Sequence, residues 1–216
     1  IPLFEDAPKN KIEVFKKTAS FLVLGIGTII YRKGVDLFIQ MALELRQLDP
    51  TASIQLLWVG DTHVAEQSFA ANIFDQIARY HLEDCLQVMA AVDHIESLYQ
   101  TADILFLSSR LDPLPNVAID MLLLGKPVFC FEKATGLVEF LEKDAHTSFC
   151  VVPNMSVHEA AKRVFQLAQH HKHYQKLSKQ VKALAEKYFE MTDYVNQLIS
   201  LMQRAQQRAT QEQESC

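Results

Sequence analysis

The fold class of this chain is decided by residues 21–48, FLVLGIGTIIYRKGVDLFIQMALELRQL. The stretch begins with an apolar run at 21–24 and continues through Gly25 and Gly27. It ends in a segment whose apolar residues have helical spacing, followed by a Pro50 stop signal. A short apolar run predicts a strand buried on both faces, and helical spacing predicts a helix packed on the sheet. The stretch therefore predicts one strand–loop–helix unit of a parallel sheet.

Similar apolar runs recur along the first two thirds of the chain, separated by segments with helical spacing. They lie at residues 54–59, 86–89, 104–107, 128–131 and 149–152. Strands that alternate with helices predict an α/β fold with a doubly wound, Rossmann-like parallel sheet of about six strands. In such a sheet we expect ligands in the loops at the carboxyl ends of the strands.

The pattern after residue 152 contains only helices, which predicts a helical C-terminal segment. We divide the chain into a linker at 1–18, a Rossmann-like domain at 19–189, an amphipathic helix at 190–205 and a polar tail at 206–216.

Composition excludes several classes of function. The 216 residues are 49% apolar, and 21 basic residues are intermixed with 26 acidic ones, so we expect a globular protein that binds no nucleic acid. No apolar run approaches the ~20 residues of a membrane-spanning helix, so no transmembrane segment is predicted. The four cysteines are scattered singly, and no Asp-x-Asp or metal-ligand cluster is present, so we expect no metal, no cofactor and a cytoplasmic location.

Glycine placement points to a ligand at the strand ends. Gly27 follows the first strand, Gly34 precedes its helix, Gly60 ends the second strand and Gly136 follows the fifth. A missing side chain at these points lets backbone amides approach a phosphate, although each glycine taken singly is equally consistent with a tight turn. No Gly-Lys-Ser/Thr triplet and no Gly-x-Gly-x-x-Gly is present, which disfavours an ATPase or a dinucleotide-binding protein.

The densest polar segment is SSRLDPLPNVAID at residues 108–120, between a buried strand and a helix. Pro115 suits the first helical turn, so the amides of Asn116, Val117 and Ala118 are expected to be unpaired. The sequence therefore predicts an anion site at this helix start.

Charged side chains complete the predicted site. Lys33, just before Gly34 at a helix entrance, can place its ammonium on a diphosphate, with Arg32 assisting. Asp112 approaches from the loop, and Asp120 lies one turn beyond the helix start, where both carboxylates can accept sugar hydroxyls. The alternative makes Asp112 a turn residue and Asp120 a solvated helix residue.

At these positions the chain resembles the carboxy-terminal, donor-binding domain of retaining GT-B-fold glycosyltransferases of family 4, over residues 20–200. The family motif of two glutamates separated by seven residues is matched by Asp112 and Asp120. Further matches lie at residues 32–36, 59–61, 124–128 and 135–139.

The resemblance implies transfer of a sugar from a nucleoside-diphosphate sugar to an acceptor hydroxyl, with retention of configuration and without a metal. It assigns Lys33 to the donor diphosphate, Asp120 to the ribose and Asp112 to the donor sugar. The donor-binding positions that it implies are Gly27, Thr28, Arg32, Lys33, Gly60, Asn116, Val117, Asp120 and Gly136. Thr28 stands where many members have arginine, and both motif glutamates are shortened to aspartate.

The resemblance further implies an N-terminal acceptor domain that this chain lacks, and a carbohydrate or glycolipid acceptor. We expect the full-length protein in the cytoplasm, where it can lie at the inner face of a membrane. Two other interpretations stay open: a non-catalytic nucleotide-binding module, and a receiver-like α/β interaction module.

Overall fold

The computed structural model describes residues 20–50 and 53–214, and within this part of the chain it shows a six-stranded, entirely parallel sheet. The strands are β1 (Phe21–Ile26), β2 (Ile54–Val59), β3 (Leu86–Met89), β4 (Ile104–Leu107), β5 (Val128–Phe131) and β6 (Val151–Val152). Their order is β3-β2-β1-β4-β5-β6. The predicted Rossmann-like α/β fold is confirmed, while the predicted linker at 1–18 lies outside the described residues.

Helices connect the strands and cover both faces of the sheet. They are α1 (Val35–Leu48), α2 (Gln67–Arg79), α3 (Glu96–Thr101), α4 (Asn116–Leu123), α5 (Leu137–Leu141), α6 (Val157–Gln169), α7 (His171–Tyr188) and α8 (Met191–Glu214). Short 3-10 helices lie at Tyr31–Lys33, Val64–Glu66 and Thr147–Cys150.

The inner strands of the sheet form the centre of the core. Every residue of β2, β4 and β5 is buried, as expected for strands covered by helices on both faces. Phe38 of α1 joins this core, with ring centroids 5.2 Å from Trp58 and 6.2 Å from Phe106. These rings fix α1 against the sheet beside the loop that precedes the helix.

The strand order places the functional region. Pairing passes from β1 to β2 on one side and from β1 to β4 on the other, so the chain changes direction between β1 and β4. The connections that leave these two strands diverge, and the crevice between them is where doubly wound sheets bind ligands.

The sixth strand is shorter than the sequence predicts. Residues 149 and 150 belong to the 3-10 helix Thr147–Cys150, and only Val151–Val152 pairs with β5. The Asp144 carboxylate accepts the amides of His146 and Thr147, and the Thr147 hydroxyl donates to the carbonyl oxygen of Leu141. These bonds hold the chain in a turn although its side chains are apolar.

Two of the three C-terminal helices pack on helices that cover the sheet. Helix α6 lies on α1, and α7 lies on α4, where the Ser178 hydroxyl donates to the carbonyl oxygen of Gly125. Helix α8 continues to Glu214, because the region predicted as a polar tail is rich in helix formers and lacks glycine and proline. In the described part of the chain no helix is long and apolar enough to cross a membrane.

Candidate functional site

The candidate site lies where the loops after β1 and β4 meet. The backbone N–H of Arg110 donates to the carbonyl oxygen of Arg32 at 2.8 Å, and the Ser108 hydroxyl donates to that of Lys33 at 3.1 Å. Gly34 adopts φ 69°, and a Cβ on it would lie 2.0 Å from the carbonyl oxygen of Ser108. The two predicted loops therefore form one rigid wall of the crevice.

Lys33 and Asp112 form an ion pair within this wall. The Lys33 Nζ lies 2.5 Å from Asp112 Oδ2, and the side chains are only 18% and 11% exposed. The Ser109 hydroxyl donates to the same carboxylate at 3.3 Å, and Arg32 lies 3.9 Å from it. The Lys33 stem lies over Gly27, where a Cβ would come within 3.1 Å of it. The loop after β1 thus supplies the cation of this pair, and the loop after β4 supplies the carboxylate.

The start of α4, on the same loop as Asp112, presents backbone donors. The helix begins at Asn116 with Pro115 as its N-cap. Among the described residues, the amides of Asn116 and Val117 have no hydrogen-bond acceptor, whereas that of Ala118 donates to Pro115 at 3.0 Å. The prediction for Ala118 is therefore wrong, because the first turn closes with a 3-10 type bond. Two unpaired donors remain at the positive end of the helix.

Asp120 makes no contact with the ion pair in the described part of the chain. It is exposed on α4, one turn beyond Asn116, and it accepts a hydrogen bond from Tyr99 of α3. Burial and the neighbouring Glu96 carboxylate raise the pKa of Asp120, and burial raises the pKa of Tyr99 to about 12. Two carboxylates and a phenol thus line this side of α4.

Two other predicted positions, Gly60 and Thr28, lie at the loop that follows β1. A Cβ on Gly60 would lie 2.1 Å from the carbonyl oxygen of Gly27, which also accepts the indole N–H of Trp58 at 2.9 Å. Thr28 is exposed next to this turn.

Gly136 serves the loop after β4. Its amide donates to the carbonyl oxygen of Pro113 at 2.7 Å. Gly136 therefore braces that loop through its amide instead of leaving the amide available to a ligand.

The sequence reasoning missed the partners of the predicted residues. Arg110 donates to Asp36 through both terminal guanidinium nitrogens, Nη1 and Nη2, at 2.8 and 2.6 Å, and Tyr99 donates to Asp120. Arg110 lies in the polar segment 108–120 and Asp36 in the segment 32–36, both of which the sequence pattern indicates. Their pairing joins residues 74 positions apart, so no local sequence pattern predicts it.

No group of three or more His, Cys, Asp or Glu residues suited to a metal ion occurs within residues 20–50 and 53–214. Lys33, Arg32 and Asp112 place one ammonium, one guanidinium and one carboxylate close together, and the start of α4 adds unpaired amides. This combination suits a ligand that carries both phosphate and hydroxyl groups.

The sequence matches the family model described as "Glycosyl transferases group 1" over residues 6–184. The chain belongs to this family. The match covers most of the chain and includes the Lys33 loop and the 108–120 segment, so the predicted family resemblance is confirmed at the level of group 1.

Curated glycosyltransferases are similar to this chain over part of their length. The amylovoran biosynthesis glycosyltransferase AmsD of Erwinia amylovora is 25% identical over 124 residues, which cover 57% of this chain and 33% of that protein. Mannosylfructose-phosphate synthase of Agrobacterium fabrum is 24% identical over 185 residues, covering 84% and 40%. The chain therefore spans well under half the length of these two relatives.

Several solved structures share the fold of this chain. Anabaena Alr3699/HepE, solved in complex with UDP, superposes with a TM-score of 0.79 at 19% identity, covering 92% of this chain and 54% of that one. The C-terminal domain of a group 1 family glycosyl transferase (LpcC) from Francisella tularensis gives a TM-score of 0.71 at 17% identity, covering 88% and 96%. Such a C-terminal domain alone thus accounts for the fold of this chain.

Proposed function

We propose that this chain binds a nucleoside-diphosphate sugar and forms the donor-binding part of a glycosyltransferase that transfers the sugar to an acceptor hydroxyl. The observation that carries the proposal is the contact of Lys33 with Asp112 in the β1/β4 crevice, on the loop that leads into α4 and its unpaired amides of Asn116 and Val117. Anabaena HepE and Staphylococcus aureus TarM, which share the fold, were both solved with UDP.

The diphosphate takes the cationic side of this site. The compact ammonium of Lys33 binds the charge of the diphosphate. Arg32, which lies 3.9 Å from the Asp112 carboxylate, adds a second cation, and α4 offers two N–H donors at its positive end. The donor diphosphate then replaces Asp112 as the partner of Lys33. Asp112 is released to accept hydrogen bonds from hydroxyls of the donor sugar.

The reaction breaks the bond between the anomeric carbon and the diphosphate oxygen and forms a bond from that carbon to the acceptor oxygen. The proton of the acceptor hydroxyl leaves with the diphosphate or a base. Negative charge develops on the departing diphosphate, where Lys33 and the α4 amides already lie. One well-placed donor of this kind typically contributes about 3–4 kcal/mol to the transition state. Retention of configuration rests on the family resemblance alone.

The ribose is assigned to Asp120. Its carboxylate is exposed on α4 next to Tyr99, so that two hydroxyl-binding groups of α4 and α3 face the same region. The remaining donor-binding assignments are supporting ones: Gly27 and Thr28 lie on the β1 loop, and Gly60 holds that loop from β2.

The acceptor side is assigned to the rest of the protein. The chain spans 33% to 48% of the curated relatives, so we propose that an N-terminal domain holds the acceptor, which is a carbohydrate or a glycolipid. A glycolipid acceptor would bring the whole protein to the cytoplasmic face of a membrane.

Titration calorimetry with UDP, GDP and ADP tests the donor assignment. We expect one nucleoside diphosphate to bind, and Lys33→Ala to weaken that binding by about tenfold or more, equivalent to about 1.4 kcal/mol or more. Lys182→Ala is the matched control, because this exposed lysine pairs only loosely with Glu186, at 3.8 Å on α7. Failure of all three nucleotides to bind, or equal affinity of Lys33→Ala and the parent chain, would contradict the proposal and favour an interaction module.

A further inference from the structure

Arg110 connects the two loops of the candidate site through four hydrogen bonds. Its Nη1 donates to the carbonyl oxygen of Tyr31 at 2.7 Å and to Asp36 Oδ1 at 2.8 Å, and its Nη2 donates to Asp36 Oδ2 at 2.6 Å. Its backbone N–H donates to Arg32 at 2.8 Å. The guanidinium carbon also lies 3.7 Å from the centroid of the Tyr31 ring. We call Arg110, Asp36 and Tyr31 the arginine latch.

This latch differs from an ordinary surface ion pair. The Arg110 and Asp36 side chains are only 20% and 26% exposed, and the pairing is bidentate. A planar guanidinium binds a carboxylate with two parallel hydrogen bonds and stacks on an aromatic face, which a lysine ammonium cannot do. The latch therefore fixes a geometry as well as contributing charge.

The latch brackets the donor-binding cation along the chain. Tyr31 precedes Lys33 by two residues and Asp36 follows it by three, while Arg110 precedes Asp112 by two. Holding Tyr31 and Asp36 to the β4 loop thus limits the positions that Lys33 can take relative to Asp112.

From this arrangement we propose that Arg110 is a positioning residue, which acts through Asp36 and Tyr31 to hold Lys33 at the diphosphate site. The inference rests on the proposed function, since it assumes that Lys33 binds the diphosphate. The Arg110 guanidinium is itself committed to Asp36 and Tyr31, so it contacts the protein and not the donor.

Two variants separate position from charge. Arg110→Lys keeps the charge and loses the bidentate contact, whereas Asp36→Asn adds net positive charge near the site. A purely electrostatic role of the pair predicts tighter UDP binding by Asp36→Asn. A positioning role predicts weaker binding by both variants, by about tenfold or more.

Arg163→Lys is the matched control. Arg163 binds Glu159 at 2.7 Å and the carbonyl oxygens of Phe149 and Val151, and its side chain is 23% exposed, so its environment resembles that of Arg110. It holds α6 to the 3-10 helix Thr147–Cys150 and to the first residue of β6, and none of these contacts lies in the β1/β4 crevice. Arg163→Lys should lower the stability of the fold comparably while changing the UDP dissociation constant by less than about twofold.

The experiment measures UDP binding by calorimetry and the acylation rate of Lys33 by mass spectrometry, well below the unfolding midpoint of each variant. We expect Arg110→Lys and Asp36→Asn to weaken UDP binding and to accelerate acylation of Lys33, with Arg163→Lys unchanged in both. Unchanged binding or unchanged acylation in both latch variants, or tighter binding by Asp36→Asn, overturns the latch. If the parent chain binds no nucleoside diphosphate, the proposed function fails, and the latch as a donor-positioning device fails with it. If the parent binds UDP and only Lys33→Ala weakens it, the latch alone fails.

Discussion

Replacing Gly34 with alanine tests how tightly the loops after β1 and β4 are joined. Gly34 has φ 69°, and a non-glycine residue in this left-handed region costs about 1–2 kcal/mol. The added Cβ would also lie 2.0 Å from the carbonyl oxygen of Ser108, which is backbone and cannot rotate away. Overpacking of this kind typically costs a further 1–3 kcal/mol or so. We therefore expect Gly34→Ala to lower the free energy of unfolding by about 2–5 kcal/mol.

Gly125→Ala provides the comparison that isolates the backbone contact. Gly125 has a similar φ of 75°, but the nearest atom to its Cβ is the Ser178 hydroxyl oxygen, at 3.1 Å. Its expected cost is only the left-handed penalty of about 1–2 kcal/mol. Unfolding in urea is followed by the fluorescence of Trp58, the single tryptophan of the chain, which is buried in the core. Equal losses of stability in the two variants would refute the reasoning about Ser108.

Three further predictions concern groups outside this contact. Burial raises the pKa of the Cys130 thiol to about 12 and also raises that of Cys150. Neither thiol should therefore react with iodoacetamide at neutral pH until urea unfolds the chain. Detection by mass spectrometry of either labelled cysteine in the folded protein would contradict this. Burial and, to a smaller extent, the Glu96 carboxylate raise the pKa of Asp120, so Glu96→Gln should lower the Asp120 pKa in a carbon-13 NMR titration. The variant should also be more stable at pH values where Asp120 is ionised, and this gain should be lost as the pH falls below the Asp120 pKa. Trp58→Phe should destabilise the fold by about 1–3 kcal/mol, because it leaves a backbone carbonyl oxygen of the site loop without its indole donor. Since this variant lacks the fluorescent tryptophan, its urea unfolding is followed by circular dichroism, and a loss below about 0.5 kcal/mol would show that water replaces the donor.

The chain's own pattern determined the fold class. A strand buried on both faces needs a short apolar run, and a helix packed on the sheet needs apolar residues at helical spacing. Both are local properties of the sequence, so each of the six strands could be predicted from it. The run at 149–152 is the instructive exception. Its side chains are as apolar as those of the other runs, but the hydrogen bonds of Asp144 and Thr147 hold residues 149 and 150 in a turn.

The elements of the candidate site were also visible in sequence, because strand ends and helix starts carry recognisable residues. Lys33, Asp112 and the α4 amides each occupy such a position. Their mutual distances were not visible, since the two loops are 79 residues apart and only the reversal of strand order between β1 and β4 brings them together.

Only the tertiary structure decided which partner each charged group takes. It paired Lys33 with Asp112 and Arg110 with Asp36, and it turned Asp120 toward Tyr99. Local spacing specifies where a side chain leaves the backbone, whereas a hydrogen bond between distant segments depends on how whole elements pack. The sequence therefore predicts a strand, a helix start or a charged side chain, whereas the contacts among them follow from the packing of the sheet and its helices.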